Sequence, residues 1–77
     1  MRRWLRKARE SKGLTMKAMG DKLGVSESYY CGIENGTRQK KMDIALASAL
    51  AISLEIPIAE VIENERSAAG VVNNIHG

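Results

Sequence analysis

A chain of 77 residues with one cysteine and a net charge of +3 holds a single domain and no internal disulfide. Phe is absent and Trp4, Tyr29 and Tyr30 are the only aromatics, so the interior is built from Leu, Ile, Val, Met and Ala. No apolar run approaches the length of a membrane span, and the start MRRWLRKARE lacks the apolar stretch of a secretion signal, so a cytoplasmic location is expected.

The charge is unevenly spread. Residues 1–41 carry eleven Lys or Arg against Glu10, Asp21, Glu27 and Glu34, a local balance of +7. Residues 42–77 carry only Arg66 against Asp43, Glu55, Glu60, Glu63 and Glu65, a balance of −4. A basic half joined to an acidic half suggests one face for a polyanion and another turned away from it.

Glycines divide the chain into helices. Residues 2–12 place Trp4, Leu5 and Ala8 on one stripe, and Gly13 follows as a left-handed stop. Thr15 caps a second helix, Met16–Leu23, with Met19 and Leu23 inward, and Gly24 ends it. Ser26 caps a third helix over residues 27–34, with Tyr30 and Ile33 inward, and Asn35-Gly36 closes it. Residues 37–41 (TRQKK) read as a basic loop.

A fourth helix is expected from about Met42 to Leu54, its inner stripe Met42, Leu46, Ala49, Leu50, Ser53 and Leu54. Pro57 suits the first turn of a fifth, with Ile58, Val61 and Ile62 inward. Strand alternation is convincing nowhere. The expected organisation is all-α: a compact domain over residues 1–65 and a flexible tail over 66–77, whose GVVNNI run has a short dimer strand as its alternative.

Residues 16–35, MKAMGDKLGVSESYYCGIEN, carry a specific geometry. Two short helices joined by a three-residue turn need a small residue where their backbones cross, glycine at the turn and apolar residues at fixed offsets. Gly20 meets the first demand and Gly24 the second. Met19, Leu23, Val25, Tyr30 and Ile33 form the wedge between the helices. Tyr30 brings a hydroxyl into that wedge, and it needs a partner or water.

With this motif, the LRKARESKG helix at residues 5–13, IENG at 33–36 and LAISLEIPIAEVI at 50–62, the sequence resembles the lambda-repressor-like (Cro/XRE) helix-turn-helix family. The resemblance implies a five-helix domain binding operator DNA as a homodimer and acting as a transcription regulator, often phage-encoded. It further implies that the second motif helix enters the major groove of double-stranded DNA, with Ser26, Glu27, Ser28, Tyr29, Cys31 and Gly32 facing bases. An ion pair between Arg9 and Glu34 is implied as well, joining the first helix to the third.

Two features depart from that pattern. No Arg, Asn or Gln occupies a base-facing position, although those side chains make the strongest base contacts. Glu27 serves either as an acceptor from cytosine or as a partner of its own helix dipole. Met16 stands where the family commonly has Gln reaching a phosphate. The phosphate contacts are therefore expected from Lys17, Asn35, Thr37, Arg38, Lys40 and Lys41. Lysines beside helix starts oppose the macrodipole unless a bound phosphate reverses the sign.

Catalysis finds no support: the one His, His76, lies in the tail, and Cys31 has no neighbouring base. No metal-ligand spacing, cofactor motif or small-molecule site is evident, and no membrane partner is expected. The competing reading is a helix-turn-helix used for protein interaction, an antitoxin-like or adaptor module with weak DNA affinity.

Overall fold

The computed structural model describes residues 1–68. Five helices follow one another: α1 (Arg3–Ser11), α2 (Met16–Leu23), α3 (Glu27–Asn35), α4 (Ile44–Leu54) and α5 (Ile58–Ala68). The described residues contain no strand. None of the helices is long and apolar enough to cross a membrane alone.

Local chemistry sets most boundaries. The Thr15, Ser26 and Asp43 side chains accept from the amides of Ala18, Tyr29 and Leu46, so α2, α3 and α4 each begin on a side-chain cap. Gly24 and Gly36 end α2 and α3 in the left-handed region, at φ 76° and 83°. Helix α4 starts at Ile44, two residues after Met42, because Asp43 provides the cap. Pro57 stands just before α5, where its carbonyl accepts from Glu60 and Val61.

α2 packs on α3 and α4, while α1 packs on α3 and α5, and α5 closes against α4. Leu5, Met19, Tyr30, Ile33, Leu50 and Leu54 form the main core. A second cluster, Ala47, Ala51 and Val61, seals the α4–α5 contact and meets the first through Trp4, Met42 and Ile56. The two alanines lie outside the stripe expected for α4; they are buried because small side chains let α5 approach closely.

Helix α5 is rotated from expectation. Val61 is fully buried, but Ile58 and Ile62 are 37% and 40% exposed rather than inward. The inward stripe instead runs from Val61 to Glu65 at i, i+4 spacing, because Glu65 has partners inside the molecule. The helix also continues to Ala68, past the boundary expected at residue 65. The rest of the tail, with its GVVNNI run, lies outside the described residues.

Candidate nucleic-acid interface

The α2–turn–α3 unit is built on backbone proximity. The Val25 amide donates to the Gly20 carbonyl at 2.9 Å, folding the turn back onto α2. A Cβ on Gly20 would lie 2.9 Å from the Val25 carbonyl oxygen and 3.2 Å from that of Ser26. Those are backbone atoms with nowhere to go, so glycine here is a steric requirement. Met19, Tyr30 and Ile33 fill the wedge completely, with Leu23 and Val25 half-buried at its edge.

Against this frame the six residues expected to face bases divide. Ser26, Glu27 and Ser28 are exposed at the α3 N-terminus, although the Ser26 hydroxyl oxygen is engaged in the cap at 3.0 Å. Tyr29 is half-buried against the core, with the Arg38 guanidinium 5.3 Å from its ring centroid, a cation–π distance. Cys31 is half-buried too, and its sulfur accepts from Asn35 Nδ2 at 3.4 Å. Gly32 does not face outward: it is buried beneath Thr37 and Arg38, and a Cβ there would fall 2.5 Å from Arg38 Cγ. Its carbonyl accepts from the amides of Thr37 and Arg38 and from Thr37 Oγ1, so it seats the loop that follows α3. Of the six residues, Gly32 is thus the one that the fold buries.

The cationic residues stand in α2 and in the loop after α3. Lys17 is exposed in the first turn of α2, 3.5 Å from Asp21, and a pair so open to water leaves the lysine free to exchange partners. Asn35, Thr37, Arg38, Lys40 and Lys41 are exposed at the end of α3 and along the loop. At the α4 N-terminus the Asp43 carboxylate occupies the Leu46 amide at 2.8 Å, which puts a negative charge where a bound phosphate is expected.

Beneath the surface lies a buried polar network. Arg9 Nε donates to Glu34 Oε2 at 2.5 Å, and Arg9 NH1 to the Leu14 carbonyl at 2.8 Å. The Tyr30 hydroxyl donates to the same Glu34 oxygen at 2.7 Å, which supplies the partner its buried position demands. The hydrogen bond to Glu34 holds the Arg9 guanidinium still more firmly charged. Burial, then the Glu34 hydrogen bond, pushes the Tyr30 phenol well above its ordinary value of 10.0.

Sequence reasoning missed a second network, around Arg2. Its side chain is buried and ion-paired to Glu65 at 3.0 Å, a carboxylate that also accepts from Trp4 Nε1 at 3.1 Å. Both residues read as ordinary surface charges, since no local pattern marks a contact 63 positions apart. Among the described residues, no group of three His, Cys, Asp or Glu side chains is placed to hold a metal ion.

A family model described as helix-turn-helix matches residues 5–61, most of the chain. The chain belongs to the lambda-repressor-like (Cro/XRE) helix-turn-helix family. Within that family it is similar to a Bacillus subtilis (strain 168) protein described as "uncharacterized HTH-type transcriptional regulator YqaF". The two are 38% identical over 45 residues, covering 58% of this chain and 59% of that protein's length. No solved structure matches the chain significantly. The match over residues 5–61 covers the whole helix-turn-helix and the core beneath it, and it leaves Arg2 outside.

Proposed function

We propose that this helix-turn-helix protein is a DNA-binding transcription regulator that places the N-terminus of α3 in the major groove of operator DNA. The observation that carries the reading is the α2–α3 unit, pinned at Gly20, which leaves Ser26, Glu27 and Ser28 exposed at the start of α3. Exposed polar and cationic residues flank that helix along the chain, Lys17 in α2 on one side and Asn35, Thr37, Arg38, Lys40 and Lys41 on the other. In the proposed complex the flanks position the protein on phosphates, and Glu27 and Ser28 read base edges. A repressor role of the kind encoded by phages and other mobile elements, exerted in the cytoplasm, fits a small DNA-binding domain of this family.

A homodimer is part of the same proposal. Ile44 and Ile52 on α4 are 66% and 79% exposed, and Ile58 and Ile62 on α5 join them. That much open isoleucine on a small domain suits self-association, and because Ile44 and Ile62 line one cavity with Lys40 and Lys41 the contact would border the cationic loop. A two-fold pair would set its recognition helices one DNA turn apart, about 34–36 Å. Sedimentation of the chain alone and on bound DNA tests this, and a strict monomer in both would contradict it.

One observation favours a second reading, a protein-interaction module with weak DNA affinity. With Gly32 buried, Tyr29 and Cys31 half-buried and Ser26 capping its helix, the freely exposed base readers reduce to Glu27 and Ser28. Selecting bound fragments from random DNA separates the two readings. A regulator enriches a related set of sites, and an adaptor enriches none.

A further inference from the structure

We propose that Arg2 is a positioning residue for DNA binding, a clamp that holds the cationic loop 37–41 in its phosphate-facing shape. The inference rests on the DNA-binding reading above and adds to it a residue that touches no DNA.

The clamp uses every donor a guanidinium has. Arg2 Nε donates to both oxygens of Glu65 at 3.0 Å. One terminal nitrogen donates to the Ile33 carbonyl at 2.6 Å and the Arg38 carbonyl at 3.3 Å. The other donates to the carbonyls of Gln39 and Lys40. The Arg2 amide donates to the Glu34 carbonyl at 2.7 Å. Arginine's five N–H groups are thus all engaged, and the side chain is only 5% exposed.

The acceptors say what the clamp is for. Ile33 and Glu34 are near the C-terminus of α3, where unpaired carbonyls and the negative end of the dipole favour a cation. Arg38, Gln39 and Lys40 are consecutive loop residues with no regular structure, and Gln39 adopts a left-handed φ of 54°. A non-glycine residue holds that conformation only when its surroundings over-determine it. Three successive carbonyls converging on one cation supply that determination, and they fix the backbone that carries the exposed Arg38 and Lys40. Glu65 anchors the guanidinium from α5, so the loop's shape depends on the far end of the fold. A lysine keeps the charge at this position but has no planar fork to bridge four carbonyls and a carboxylate.

The test compares the unaltered full chain with Arg2→Lys and Glu65→Gln. Arg2→Lys should keep its helical circular dichroism. Amide exchange should quicken at Thr37 and Arg38, with Met19 and Tyr30 unchanged. On DNA, the log–log salt slope should fall by about one to two units although no phosphate-contacting residue has been altered. Adding Lys40→Ala and Lys41→Ala to Arg2→Lys should then change affinity less than it does in the unaltered chain, whereas adding Lys17→Ala should cost its full amount. Glu65→Gln should show the same pattern more weakly, and it decides the matter if Arg2→Lys does not fold.

Unchanged exchange at Thr37 and Arg38 in both variants would overturn the clamp. So would a fully additive combination with Lys40→Ala and Lys41→Ala, because a merely stabilising residue leaves that combination additive. Exchange is measured without DNA; an unaltered chain that fails to shift DNA would overturn the binding reading, and exchange would separately decide whether Arg2 holds the loop.

Discussion

Arg9 on α1 and Glu34 on α3 meet at 2.5 Å with side chains only 8% and 2% exposed, so α3 is tied to the first helix by a buried ion pair. Taking two charges out of water is costly, and the geometry that offsets it is cooperative: Glu34 also accepts from Tyr30, and Arg9 also donates to Leu14. Replacing either partner alone strands the other. Arg9→Leu and Glu34→Leu should each cost about 3–5 kcal/mol, and the double variant should cost less than their sum. A double-mutant cycle in urea checks this; additive costs would contradict the coupling.

Tyr30 gives that network a pH signature. The folded phenol titrates well above the unfolded one, so its contribution to stability is complete below about pH 10 and is lost as pH rises beyond it. Tyr30→Phe should cost about 1.5 kcal/mol at neutral pH through the lost hydrogen bond to Glu34. The gap between the two proteins should narrow as pH rises through 10, since only the unaltered chain has the phenol to lose. Urea midpoints from neutral pH to pH 11 measure this, and a constant gap would mean the phenol is not held protonated.

Two glycines of the motif should respond differently to the same substitution. Gly20→Ala drives a methyl into backbone oxygens of Val25 and Ser26 and should destabilise the fold by about 1–3 kcal/mol. Gly32→Ala meets Arg38 Cγ at 2.5 Å and Thr37 Oγ1 at 3.1 Å, near the loop backbone, so relief requires the loop to shift. It should displace Arg38 from the Tyr29 ring and loosen residues 37–38 while leaving the α2–α3 crossing intact. Thermal melts and the Tyr29 ring resonances distinguish them. Equal destabilisation would show the α3–loop contact to be as rigid as the helix crossing.

The motif helices were legible because their signals are local. Thr15, Ser26, Gly24 and Gly36 act within one helical turn, so α2 runs as expected and α3 ends one residue past expectation. Errors arose where distant elements decide. α5 buried Ala47 and Ala51, and Arg2 drew Glu65 inward, turning Ile58 and Ile62 toward solvent; the α4 start differs for a local reason, the Asp43 cap. For the candidate site, exposure at Glu27, Ser28 and Lys17 follows from helix phase, and that of Lys40 and Lys41 from their place in a polar loop. The burial of Gly32 does not, because it depends on a loop folding back five residues later.

In the proposed complex α3 reads DNA while the neighbouring cations position it. The salt dependence of binding tests that division most directly. Lys40→Ala with Lys41→Ala should lower the magnitude of the log–log salt slope by just under two units, since each phosphate contact contributes about 0.9. Affinity should fall by the same factor on selected and random DNA, because phosphates carry no sequence information. Glu27→Ala should leave the slope nearly unchanged and alter which sites are preferred. A slope and affinity indifferent to both lysines, with site preference indifferent to Glu27, would contradict the account and leave the helix-turn-helix as a surface for another protein.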